Sequence, residues 1–178
     1  RPTSFAIRVV LSAACGFSGA CGDRSADVPA ADARPALVDV AESAGVVAVT
    51  RSGTDRQRFI PEVKSLGVAI FDYDGDDRPD VLLTGGSTLE RFRRGEPGFG
   101  CKLYRNTGAI GGPLRFVDAT AEAKIPPTRW ANGPCVGDFD GDGRLDVLLT
   151  GFGEARLWRG EKDGTFEDAT DRLGIRIP

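Results

Sequence analysis

Histidine is absent from the 178-residue chain. That removes the usual general base, the usual zinc ligand and every nucleophile a histidine would activate. A strong charge of one sign is also missing. The formal net charge is −3, and two short acidic segments carry much of it, so nothing speaks for nucleic acid or an anionic membrane surface as a partner. The apolar run at 9–20 is too short to span a membrane as a stable helix. Twenty-four glycines and eleven prolines, by contrast, point to many turns joining short strands, which favours an all-β chain over long helices. A hydrophobic content of 40% is enough to build the core of one ordinary domain.

The acidic segments share one design. Asp72-Tyr73-Asp74-Gly75-Asp76-Asp77-Arg78-Pro79-Asp80 and Asp138-Phe139-Asp140-Gly141-Asp142-Gly143-Arg144-Leu145-Asp146 each run into the same Val-Leu-Leu-Thr-Gly, at 81–85 and 147–151. Aspartates at the first, third, fifth and ninth positions of a tight loop repel one another unless a hard cation sits among them. Oxygen-only donors at that spacing suit calcium, so two calcium ions are expected, one per loop. Asp77 stands where the second loop has Gly143, so the first loop has to turn sharply on an aspartate.

A second piece follows each loop. Leu103-Tyr104-Arg105-Asn106 and Phe116-Val117-Asp118-Ala119-Thr120 match Leu157-Trp158-Arg159-Gly160 and Phe166-Glu167-Asp168-Ala169-Thr170. A partial earlier copy, an end-strand near 37–41, precedes the first loop. Self-similarity of this kind marks a repeat architecture. Apolar alternation gives strands at 67–71, 81–84, 101–105 and 114–118, then at 135–139, 147–150, 155–159 and 165–168. Four short strands per unit is what a propeller blade needs, and each acidic loop then joins the first strand of its blade to the second. The expected fold is therefore all-β, an incomplete β-propeller of about two four-stranded blades. The blade units are about 67–118 and 135–168 within a repeat region at 36–178. The two units differ mainly at 85–100, an insertion bearing Arg91, Arg93 and Arg94. It reads as a solvated surface loop, or else as one that meets an acidic or glycan partner.

Residues 1–21 combine Arg1 and Arg8 with an apolar, small-residue run, the layout of an export leader. Ser18-Gly19-Ala20-Cys21 is similar to a lipoprotein cleavage box with Cys21 as the acylated residue, Cys15 being a weaker position. A plain cleaved leader without lipid is the alternative. Residues 22–35 have little to bury and read as a flexible linker. The expected location is secreted, periplasmic or a cell-surface lipoprotein, with membrane attachment through an N-terminal lipid only.

Together the acidic loops, Leu-Tyr-Arg-Asn and Phe-x-Asp-Ala-Thr resemble the FG-GAP/VCBS repeats of integrin α-subunit propellers, most closely the bacterial and cartilage-acidic-protein-like group. The resemblance runs from about residue 37 to 175. It implies a calcium-studded β-propeller used in cell adhesion, partner binding and extracellular scaffolding, with an extracellular protein or glycan as partner. Carried over by position, the metal ligands are Asp72, Asp74, Asp76, Asp80 and the Arg78 carbonyl, then Asp138, Asp140, Asp142, Asp146 and the Arg144 carbonyl. Two blades do not close a ring, so the chain is expected to be a fragment of a longer protein, with the missing blades in the same or another chain.

Rival readings make distinct demands. An EF-hand or dockerin-like site needs flanking helices and a glutamate at position twelve, where the loops carry Leu83 and Leu149. A further alternative is that the chain is the non-catalytic N-terminal part of a calcium-dependent polysaccharide-active enzyme; catalysis within this chain would need free carboxylates. Here the clustered ones are committed as ligands, and Asp39, Asp118 and Asp168 read as turn-forming, so no catalytic residue is assigned. Cys101 and Cys135, an even pair in an exported protein, fall on strands of neighbouring blades and are either a disulfide or two free thiols. Trp130, Trp158, Tyr104, Phe116 and Phe166 read as blade core.

Overall fold

The computed structural model describes residues 38–48, 51–53, 59–63, 67–172 and 174. The expected leader, linker and Cys21 lie outside the described residues. Eight strands form two four-stranded antiparallel sheets, each a simple meander. The first contains β1 (Val68–Phe71), β2 (Asp80–Leu83), β3 (Lys102–Asn106) and β4 (Phe116–Asp118). In the second are β5 (Ala131–Gly137), β6 (Asp146–Gly151), β7 (Glu154–Gly160) and β8 (Phe166–Asp168). These are the two expected blades, in the expected order. The largest difference is β5, which starts four residues ahead of the expected 135. Pro134 and Gly133 hide that start in the sequence, yet β5 is an edge strand, where a proline is tolerated, and its register shifts between Ala131 and Gly133.

Period-two alternation sends successive residues of β2 to opposite sides, and both sides are covered. Val81 and Leu83 join Tyr104 and Phe116 beneath Ala44 and Val46, whereas Leu82 joins Phe71 and Leu103 against the second blade. The second blade meets them with Val147, Leu149, Trp158 and Phe166. Leu82, Leu103 and Trp158 are fully buried, and each such side chain contributes about 1.5–3 kcal/mol of apolar transfer. A single rule stacks the layers. The turn after β4 offers its Ala123 carbonyl to the Phe166 N–H at 2.9 Å, and the turn at 41–45 offers its Ala44 carbonyl to the Phe116 N–H at 2.7 Å.

Residues 38–45 thus do for the first blade what 119–125 do for the second. The end-strand expected near 37–41 is not one, however. Leu37 lies outside the described residues, and the described residues 38–41 carry no strand and lead directly into the turn. Cys101 and Cys135 are likewise not bonded. Cys101 is buried in the core between the blades, its Sγ 3.9 Å from Thr128 Oγ1, while Cys135 is exposed on the edge strand β5. The two thiols serve different surroundings, so the disulfide alternative is set aside.

The insertion at 85–100 is also more than a solvated loop. Its centre is the helix α2 (Leu89–Arg93), following the single turn α1 (Ile60–Val63) in chain order. Thr88 caps α2 by accepting the Arg91 N–H at 3.1 Å. Buried Glu62, on α1, accepts the Leu89 N–H at 2.7 Å. Phe92 packs edge-on against Phe152, with centroids 5.0 Å apart, and beside fully buried Trp130. The Arg129 guanidinium lies 4.2 Å from the Phe92 ring. Two of the loop's arginines are tied down within the loop at its surface: Arg91 donates to the Pro97 carbonyl, and Arg94 pairs with Glu90. The insertion is a clasp between the blades.

Candidate metal centres

Each acidic loop hangs between the first two strands of its blade and is wound around its own first aspartate. Asp72 Oδ1 accepts the Gly75 and Asp76 N–H groups at 2.8 and 3.1 Å, and Oδ2 accepts that of Asp77 at 2.8 Å. Asp138 does the same for Gly141, Asp142 and Gly143 at 2.8, 3.1 and 2.9 Å. The winding requires left-handed backbone. Asp77 adopts it with φ of 62°, where the second loop uses Gly143 at 83°.

The ninth position is the anchor. Asp80 is fully buried, with one oxygen accepting from Tyr73 N at 3.1 Å and the other from Asn106 N at 2.7 Å. Asp146 repeats this with Phe139 N at 2.9 Å and Gly160 N at 2.8 Å. The recurring aromatic strand therefore has a role that its apolar residues did not reveal: its last residue holds the loop's buried carboxylate. The period of the repeat was the available signal.

Ligand atoms of Asp72, Asp74 and Asp80 converge within 4.8 Å of one another, as do those of Asp138, Asp140 and Asp146. The fifth-position aspartates, Asp76 and Asp142, lie outside these two convergent groups. Asp76 accepts the Arg78 N–H with Oδ1 and pairs with the Arg78 guanidinium through Oδ2. Asp142 is held likewise by Arg144. In the ion-free chain the arginine two residues along supplies the countercharge of each of these carboxylates. The Arg78 and Arg144 side chains also reach the strand opposite, each Nε donating at 2.9 Å, to Asn106 O and Gly160 O.

The electrostatics fit a hard cation. Burial pushes the Asp80 carboxyl up to about 6, only partly offset by its two backbone bonds. Burial, then repulsion from Asp76 and Asp72, raises Asp74 as well. These are carboxylates short of positive charge. All donors are oxygens, with neither histidine nor thiol among them, the set that suits calcium or magnesium over zinc. The helical alternative does not stand: strands β2 and β6 follow the loops, and Leu83 and Leu149 at the twelfth position are buried in core. Asp39, Asp118 and Asp168 make turns, each accepting an N–H two residues ahead at 3.0–3.1 Å.

The first loop belongs to the junction between blades. Tyr73 stacks on Phe166 with centroids 6.3 Å apart, and Gly164 lies beside the loop, where an added Cβ would make ordinary contact with Asp74 Cβ at 3.5 Å. The corresponding Phe139 of the second loop is exposed.

The family that fits this geometry is the FG-GAP-like repeat, matching residues 72–149 and again 138–176. The chain belongs to the FG-GAP-like repeat family. Both matches open on the aspartate around which a loop is wound, Asp72 and Asp138. Among curated proteins none matches the sequence significantly. The FG-GAP-like assignment accounts for the two meander sheets and leaves the ion itself to be identified from the donor set.

Proposed function

We propose that this chain is an exported, calcium-binding β-propeller repeat module whose ions are structural, and which scaffolds adhesion to an extracellular protein or glycan without catalysing a reaction. The observation that carries the reading is the repetition of one device. In both blades a buried aspartate is pinned to the aromatic strand and two neighbouring carboxylates are aimed at the same point. An ion there neutralises the loop and locks the hairpin, and at the first loop it also stiffens the contact with the second blade. The export component rests on the leader-like pattern at 1–21 and the partner on family likeness. Further blades in the same or another chain would complete the ring.

Hydrogen exchange with and without calcium tests the structural role. Calcium is expected to slow exchange of the amides at 75–78 and 141–144, and of β1, β2, β5 and β6 beside them. Exchange unchanged by calcium would refute it.

A further inference from the structure

The two loops look alike, but their surroundings differ at one arginine. Arg105 and Arg159 occupy the same place, one residue after Tyr104 and Trp158, which face Val81 and Val147. In the first blade Arg105 pairs with Glu122, at 3.1 Å, and acts on Asp74 of the loop through charge without forming an ion pair to it. The matching position in the second blade, after Asp168-Ala169-Thr170-Asp171, is Arg172, which cannot serve as a partner and reaches Glu167 instead, at 4.0 Å. Deprived of that carboxylate, Arg159 turns into the acidic loop. Its Nε binds Asp140 Oδ2 at 2.5 Å, Nη2 binds Asp142, and Nη1 binds Glu161 at 2.9 Å.

The charge balance follows. In the first loop five aspartates face one paired arginine, Arg78; in the second, four aspartates face two, Arg144 and Arg159. Asp140 is a member of the converging trio, so the guanidinium sits on a carboxylate that an ion would use.

We propose that Arg159 is a built-in competitor for the second ion, making the two sites unequal: the first loop fills at low calcium and the second only at higher calcium. This rests on reading both loops as ion sites. Charge alone orders them, since a fixed positive group close to a divalent ion opposes its arrival and salt screens exposed charges only in part. Two sequence changes accompany the difference: Glu122 in one repeat against Arg172 in the next, and Thr107 against Glu161.

Calorimetric titration of the full chain with calcium tests it. Two classes of site at least about tenfold apart in affinity are expected, with Asp74→Asn removing the tighter class and Asp140→Asn the weaker. Arg159→Gln should tighten the weaker class several-fold and leave the other unchanged. Arg172→Glu, which restores the partner that Arg105 enjoys, should do the same while keeping Arg159, and so guards against a folding defect in the first variant. Two equal classes, loss of the tighter class in Asp140→Asn, or a second site unmoved or weakened in both Arg159→Gln and Arg172→Glu would overturn the proposal while leaving the ion sites themselves intact. Absence of any calcium uptake would overturn the ion-site reading and this inference with it.

Discussion

Replacing Asp80 by asparagine separates an ion ligand from a mere hydrogen-bonding hub. Without calcium the native side chain is a buried carboxylate whose pKa is raised from 3.8 to about 6. A shift of roughly two units corresponds to about 3 kcal/mol of charge-burial cost at neutral pH. The folded value lies above the unfolded one, so the folded state takes up the proton first. The ion-free chain therefore loses this stability as pH rises from about 4 to about 6. Asp80→Asn removes that cost. It also turns an NH2 toward one of the two backbone donors, Tyr73 N or Asn106 N, and forfeits about 1–3 kcal/mol. The terms nearly cancel. With calcium at a thousandfold excess over its dissociation constant, the native loop gains about 4 kcal/mol that the variant largely lacks. For a chain of this size that is a difference in melting temperature on the order of 10 °C. Thermal unfolding followed by circular dichroism should thus give similar midpoints for the two proteins in EDTA and well-separated ones in calcium. In EDTA, acidification from pH 7 to 5 should raise the native midpoint and leave the variant's nearly unmoved. An equal loss in EDTA and in calcium would refute the reasoning, because it would show that the carboxylate serves only to bind its two amides.

The remaining predictions concern the frame. Asp77→Gly relieves a left-handed aspartate and should stabilise the ion-free chain by about 0.5–1 kcal/mol, measured by urea unfolding. Gly153→Ala meets both a φ of 67° and the Phe92 ring, 2.7 Å from the added Cβ. It should cost about 1–3 kcal/mol, and Phe92→Ala in the same chain should recover the steric part, a non-additivity read by a double-mutant cycle. Burial raises the Asp118 and Asp168 carboxyls, but bonds from Lys102 and Thr120, and from Thr170 and Arg156, outweigh it and leave both below the ordinary value. Their contribution is therefore complete above about pH 4 and is lost as pH falls through the lower folded values. Acid unfolding of Asp168→Asn should show a shallower fall over that range.

Much of this fold was legible because the chain states it twice. The paired loops, the paired Val-Leu-Leu-Thr-Gly and the paired aromatic strands fixed eight strands and their order, and the need for left-handed backbone at Asp77 followed from its alignment with Gly143. Legibility ended where a residue's role depends on a non-repeated neighbour. Phe92 and Trp130 sit in stretches without a partner copy, so the clasp between the blades looked like a solvated loop. Position five of the acidic loops reads as a ligand from spacing, which gives no sign that Arg78 and Arg144 pair with those carboxylates. The cysteines fell on neighbouring blades as expected, yet adjacency of strands does not set the direction of side chains, and one thiol is buried while the other faces solvent. The different partners of Arg105 and Arg159 go with the acid or base at 122 and 172 and with Thr107 against Glu161, neighbours that only the folded chain brings into reach.

The proposed function requires calcium ions to be held by the two aspartate trios, and equilibrium dialysis against calcium measures that directly. The intact chain should bind two ions, one after either Asp72→Asn or Asp138→Asn, and none after both substitutions. Retention of both ions by the double variant, or no uptake by the unaltered chain, would contradict the account.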